Sequence, residues 1–221
     1  MLFDPFFHND FGIYQLVPEA MHSAIMAGAP PYDNIDAIVI SHAHEDHFSA
    51  YDVAEYLSKF PDTVLVAPQQ AIDMLKEYRV PKQQLHAFNL DFKAAPEQQF
   101  IKGMQISALR IPHAGWPGRK DVQNLIFRVQ LGDNFSAMHM GDADPDDSHY
   151  LPYEAFWQEQ MTSVNFPPYW FFMSAEGRDI LYEILNVKKH IGVHVPKQVP
   201  KYLKDSDYRY FSTPGEVQSI E

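Results

Sequence analysis

Ile35-Asp36-Ala37-Ile38-Val39-Ile40-Ser41-His42-Ala43-His44-Glu45-Asp46-His47 sets a β-branched apolar run directly against a cluster of imidazoles and carboxylates. Residues 35–40 have the composition of a strand buried on both faces, the kind found in parallel sheets covered by helices. The spacing His42-x-His44-x-Asp46-His47 has a chance expectation of about 0.002 occurrences in a chain of this composition, so it is read as a signal rather than a polar loop. Alternate residues just past a strand point the same way. His42 and His44 can therefore reach one cation while Asp46 and His47 turn toward a second.

Working outward, Ser49 caps a helix running to about Phe60, with Val53, Leu57 and Phe60 at helical spacing and Pro61-Asp62 as the stop. Thr63 to Ala67 is a second buried strand, and Gln69 to Arg79 a second helix carrying Ile72, Leu75 and Tyr78 on one side. Strand and helix in alternation mark an α/β protein. Further on, Met104 to Ile111 alternates with period two until Pro112-His113-Ala114-Gly115 breaks it. Leu125 to Leu131 and Phe135 to Gly141 flank Gly132-Asp133-Asn134, a β-hairpin that ends at Asp142. A helix from Gly177 to about Val187 shows Ile180, Leu181, Ile184 and Leu185 on one face, and it leads into a short strand, His190 to Val195, closed by Pro196. No repeat or linker divides the chain, so residues 1–221 read as one domain with two sheets and helices packed outside.

Composition narrows the chemistry. The 221 residues hold 17 Lys+Arg against 29 Asp+Glu, a formal charge of −12, which speaks against a nucleic-acid partner. With 46% apolar residues the chain can bury a large core. It has no cysteine, which excludes disulfides, thiolate zinc sites, iron-sulfur clusters and cysteine nucleophiles together. It has 11 histidines, so a transition metal here is held by imidazole and carboxylate, a set that suits Zn, Mn or Fe. No apolar run approaches the roughly 18 residues of a membrane span. Met1 to Phe7 reads as the end of a strand, without a basic n-region or cleavage site, so the expectation for the chain as given is a soluble, cytoplasmic protein.

Two metals need more donors than one loop supplies. His113, Asp142 and His194 each fall at or just past the end of an expected strand, and strands ending at one sheet edge bring such residues together. Asp142 alone among the three has two oxygens with which to bridge two cations. Beside His113, Trp116-Pro117-Gly118-Arg119-Lys120 offers a large ring and two cations; it reads equally as a surface turn and as a loop in which Trp116, Arg119 and Lys120 bind an anionic substrate group. His139 faces away from Asp142 along its strand and is taken as a packing or supporting residue. Asp144, Asp146 and Asp147 read as a solvated acidic turn. His8, His22, His86, His149 and His190 show no metal spacing, although His8 and His22 can line a pocket. Phe166 to Phe172 reads as core more readily than as a pocket wall.

Taken in order, Asp4 in Leu2-Phe3-Asp4-Pro5, the His42 to His47 loop, His113, Asp142 after Gly141, and His194 resemble the metallo-β-lactamase-fold superfamily of metal-dependent hydrolases over residues 2 to about 196. Ile111-Pro112-His113, the hairpin into Gly141-Asp142 and Gly192-Val193-His194 are most similar to its ascorbate-phosphate-lactonase-like branch. The resemblance implies a four-layer αββα sandwich. It implies two divalent metal ions, zinc foremost with Mn or Fe as alternatives: His42, His44 and His113 on one, Asp46, His47 and His194 on the other, Asp142 shared. Asp4 is implied to tie its strand end to the ligand loops. The implied function is hydrolysis of an ester, lactone, amide or phosphodiester small molecule by a metal-bridging hydroxide that Asp46 orients. The alternatives are a ribonuclease-like phosphodiesterase and a non-catalytic binding member of the fold. Members carry further strands before the position of Asp4; either the start is truncated or the first sheet lacks strands, and the exposed edge then suits a homo-oligomer contact.

Overall fold

Apolar β-branched residues make the two central strands of the first sheet. In the computed structural model, which describes residues 1–220, the chain divides into two compact units, Met1–Asn89 and Leu90–Glu221. The first unit holds a four-stranded parallel sheet in the order β1 (Leu2–Phe3), β2 (Ala37–Val39), β3 (Val64–Pro68) and β4 (Leu85–Phe88). Parallel neighbours need long crossovers, here supplied by α1 (Glu19–Ala27), α2 (Ala50–Lys59) and α3 (Gln69–Met74). Ile38 pairs with Leu65 and Val39 with Val66, and the Ile40 amide adds a bond to the Val66 carbonyl at 2.9 Å. The pairing stops there. Ser41 and the histidine loop therefore leave the sheet from a fixed point.

The cap expected at Ser49 is present, its hydroxyl accepting the Asp52 amide at 3.3 Å. α2 turns Val53, Ala54, Tyr56 and Leu57 into a core shared with Phe6, Ile38, Ile40 and Leu65. The helix expected over 69–79 is shorter. α3 gives way to a 3-10 turn at Leu75–Tyr78, and Arg79 adopts a left-handed φ of 52°. Pro81 disfavours the helical conformation at Val80, so the chain must leave the helix before it.

The second unit holds a five-stranded sheet in the order β5 (Glu97–Ile101), β6 (Met104–Arg110), β7 (Leu125–Gln130), β8 (Ser136–His139) and β9 (Val164–Phe166). Its pairs are antiparallel except β8 with β9. Lys102 and Gly103, both at positive φ, form the two-residue turn that right-twisted hairpins favour. The hairpin expected around Gly132 is β7–β8, with Gln130 opposite Ser136. A second core gathers Leu109, Ile111, Ile126, Met138 and Met140 with Tyr150, Trp157, Phe171, Phe172, Ile180 and Leu181. The aromatic run from Phe166 thus supplies core at Phe171 and Phe172.

Two expectations in this unit shift. The helix anticipated at 177–187 starts two residues earlier as α5 (Ala175–Asp179), because the Ser174 hydroxyl caps the Gly177 amide at 2.9 Å. It then widens into a π turn at Ile180–Ile184 and ends, with Leu185 extended. The segment 190–195 is not a regular strand. It makes single bridges, His190 to Asn165, Val193 to Pro168 and Gly192 to Tyr210. Pro167 and Pro168 have no amide to give a ladder, and His194 sits at φ 58°, outside extended geometry. α4 (Glu154–Glu159) and α6 (Lys201–Lys204) complete the unit. Among the described residues no helix is long and apolar enough to cross a membrane.

Candidate metal centre

In the first unit the site is organised by Asp4. The chain leaves β1 through Asp4 at φ 42°, with its amide on the Val39 carbonyl at 2.9 Å, and this turns the carboxylate under the histidine loop. Oδ1 accepts the Ser41 amide at 2.7 Å; Oδ2 accepts the Ser41 hydroxyl at 2.7 Å and His47 Nδ1 at 2.8 Å. Ser41 has only one hydroxyl proton, and Asp4 takes it. At 3.0 Å, His42 Nδ1 must therefore be the donor to Ser41 Oγ. Both rings are left with the lone pair on Nε2, the form in which imidazole ligates a metal.

His42 Nε2 lies 3.1 Å from His44 Nδ1. A tetrahedral ion with Zn–N bonds of about 2.0–2.1 Å has ligand edges of about 3.3 Å, so this spacing fits two ligands of one cation. The His42 and His47 rings stand 4.2 Å apart by centroid, and His47 Nε2 is 4.0 Å from Asp46 Oδ2. His44 turns the loop back on itself, its carbonyl accepting the His47 and Phe48 amides at 3.0 and 2.8 Å. His42, Asp46 and His47 are all buried.

The second unit builds its donors around Asp142. One oxygen, Oδ2, lies 3.5 Å from His113 Nε2; the other, Oδ1, lies 3.4 Å from His194 Nε2. His113 Nδ1 is committed to the Ala114 carbonyl at 2.8 Å, which again leaves the lone pair on Nε2. Gly141 at φ 55° turns the chain at the end of β8 so that Asp142 follows. The loops after β6 and β8 are zipped together by Ala114 N–H to Asp142 O at 2.7 Å and Asp144 N–H to Pro112 O at 2.8 Å. Trp170 donates its indole N–H to the Ala143 carbonyl at 3.0 Å and sets its ring edge against His194 at 5.5 Å.

Within the first unit the structure thus brings together His42, His44, Asp46 and His47, and within the second His113, Asp142 and His194. The outer nitrogens of His42, His47 and His113 are occupied by fixed partners, while Nε2 of His47 faces Asp46 and Nε2 of His113 and of His194 faces Asp142. That donor set fits divalent metal ions, as the resemblance implies.

Three other expectations can be placed. Trp116 is half-buried, tilted against Phe92 at 4.7 Å and edge-on to His149 at 5.9 Å, while Arg119 and Lys120 are exposed. Asp144 is not merely a solvated turn residue: its Oδ2 accepts the Gly115 and Trp116 amides at 3.2 and 3.4 Å and so holds that loop. Asp146 caps Ser148, and those bonds hold its carboxyl below the usual carboxylate range. Two supporting residues escaped the sequence reading. Ser41 reads in the sequence as part of the loop, although its place directly before His42 is an available signal. Asn124, fully buried, offered none, because a lone Asn before a strand reads as an ordinary turn residue.

A family model described as "Beta-lactamase superfamily domain" matches residues 1–154. Among solved structures, the chain is similar to one described as a possible metal-dependent hydrolase from Veillonella parvula, at 13% identity and TM-score 0.56, covering 87% of this chain and 77% of that one. It is also similar to the short form of human tRNase Z, at 11% identity and TM-score 0.51, covering 81% and 83%. No curated protein matches the chain.

Proposed function

Because the chain belongs to the beta-lactamase superfamily, we propose that its two units act as one metal-dependent hydrolase domain with a dinuclear centre, acting on small molecules. The observation that carries this reading is Asp142, whose two oxygens each face a different histidine. His42, His44 and His113 would hold one divalent ion, Asp46, His47 and His194 the other, and Asp142 both. Zinc suits this nitrogen and oxygen set best, with manganese or iron as alternatives. Bound there, such a pair supplies Lewis acidity and lowers the pKa of water toward neutrality.

The chain's own residues do the rest. Asp46 accepts a hydrogen bond from the attacking water and orients it toward the substrate. Asp4 and Ser41 hold His47 and His42 in the ligating tautomer. Arg119 and Lys120, exposed on the loop after His113, attract an anionic substrate group, and Trp116 offers a flat apolar face beside them. An ester, lactone, amide or phosphodiester fits these parts. The net charge of −12 favours a small molecule over RNA, for a polyanion is repelled at long range.

The test is reconstitution of the purified full chain with Zn²⁺ or Mn²⁺, metal counting, and a screen of carboxylic-ester, lactone, amide and phosphodiester substrates. Asp142→Asn is expected to lose bound metal and activity together. Wild-type protein that retains no metal and gains no activity when metal is added overturns the reading.

A further inference from the structure

A second cluster of metal-binding side chains lies in the first unit, apart from the histidine loop. Asp52, in the first turn of α2, has a side chain only 6% exposed, while His8 is 66% exposed on the irregular segment between β1 and α1. His8 Nε2 makes a short contact with Asp52 Oδ2, and His22 Nε2, from α1, lies 3.5 Å from that same oxygen. His22 Nε2 is buried yet makes no hydrogen bond. The two rings stand 5.8 Å apart at 57°.

These positions suit a metal better than a proton. A proton placed between His8 and Asp52 satisfies that pair and leaves His22 buried with its nitrogen aimed at a carboxylate it does not bond. A cation satisfies all three. For a tetrahedral ion bound through Nε2 at about 2.0–2.1 Å, ligand edges are about 3.3 Å and the two ring centres about 5 Å apart, close to the His22–Asp52 and ring–ring spacings; the exposed His8 ring, which lies nearer Asp52, has room to swing outward and admit the ion.

We propose that His8, His22 and Asp52 form a site for one divalent transition-metal ion of the zinc or cobalt class. Three protein ligands leave a coordination position open. The site opens at His8 onto a cleft of about 420 Å³ lined also by Asn9, Glu45, Phe48 and Ser49, which gives that position access to water or a small anion. The ion joins three segments, the irregular strip, α1 and α2. It thereby fixes the strip beside the histidine loop, to which Asn9 is already bound through Glu45 (Nδ2 to Oε2, 2.9 Å) and Phe6 through the Ser49 amide (2.7 Å).

The experiment counts metal. Full-length wild type, His8→Ala and His22→Ala are loaded with Zn²⁺, passed through gel filtration and analysed for zinc per chain, then loaded with Co²⁺ for visible spectra. Circular dichroism checks that each variant folds, and the exposed position of His8 keeps at least that variant readable. Each variant is expected to hold one zinc equivalent per chain fewer than wild type, to lose one cobalt spectral component, and to exchange the amides of residues 6–12 faster. Because the readout is a difference, it does not depend on whether the proposed dinuclear centre is filled. Equal zinc in wild type and both variants overturns the proposal, and so does a variant whose only change is in pH dependence, which would assign the trio to hydrogen bonding alone.

Discussion

Asn124 Oδ1 accepts the backbone amide of Asp142 at 3.0 Å, while Asn124 Nδ2 donates to the carbonyls of Ile111 and Met140 at 3.3 and 3.2 Å. One fully buried side chain therefore fastens the ends of β6 and β8, the two strands that deliver His113 and Asp142. Asn124→Ala strips a partner from three backbone groups in buried hydrogen bonds. At about 1–3 kcal/mol for a buried group left unsatisfied, and allowing for partial relaxation, the loss is about 3 kcal/mol. Urea unfolding reads this as a lower midpoint at unchanged slope. An unchanged midpoint would show that the clamp is dispensable.

Asp4 sets the protonation pattern of His47 directly and of His42 through Ser41, two rings proposed as metal ligands. Asp4→Asn keeps the volume but replaces one acceptor oxygen with an NH₂ group. Whichever way the amide turns, a donor then meets a donor. Supporting partners of this kind are worth about 10–100-fold in metal affinity, and a loss of that size is expected in a competition titration against a chelator. Stability of the metal-free protein should fall less than affinity does, since the first core does not use Asp4.

The histidine loop was legible because its meaning is local: four ligand types sit at fixed spacing after an apolar run, and Ile40 ends the pairing where the loop begins. α2 was legible for the same reason, with its cap at Ser49 and its stop at Pro61 adjacent in sequence. Asn124 was not, because its three partners lie 13, 16 and 18 residues away and nothing in its own neighbourhood distinguishes it. The irregular course of 190–195 depends on Pro167 and Pro168 across the bridge and on the left-handed His194, neither visible in an apolar alternation. β4 and β9 are too short, and too mixed in polarity at His86 and Asn165, to show a period of their own.

His190 links acid stability to packing in the second unit. Burial lowers its pKa from 6.5 to about 4, and its ring packs edge-on to Tyr182 at 5.1 Å. Between those two values the unfolded chain binds the proton that the folded one excludes. Stability from this residue is therefore complete above about 6.5 and is lost as pH falls toward 4. The full shift corresponds to at most about 3 kcal/mol. Urea midpoints across this range should fall steeply for wild type and less steeply for His190→Gln. Parallel curves for the two proteins would remove His190 from the account.

Gly177 sits in α5, where alanine is ordinarily favoured by about 1 kcal/mol. A Cβ at this position would lie 2.4 Å from the Phe171 carbonyl oxygen and 2.7 Å from the Phe171 Cα. Those are backbone atoms of a residue buried in the second core, so no side-chain rotation relieves the overlap. The sign of the substitution is thereby reversed. Gly177→Ala should destabilise by about 1–3 kcal/mol, the usual cost of overpacking, and lower the thermal midpoint by about 3–10 °C for a chain of this size. Scanning calorimetry of the two proteins under one metal condition checks it, and a raised midpoint would mean that α5 does not approach the Phe171 backbone so closely.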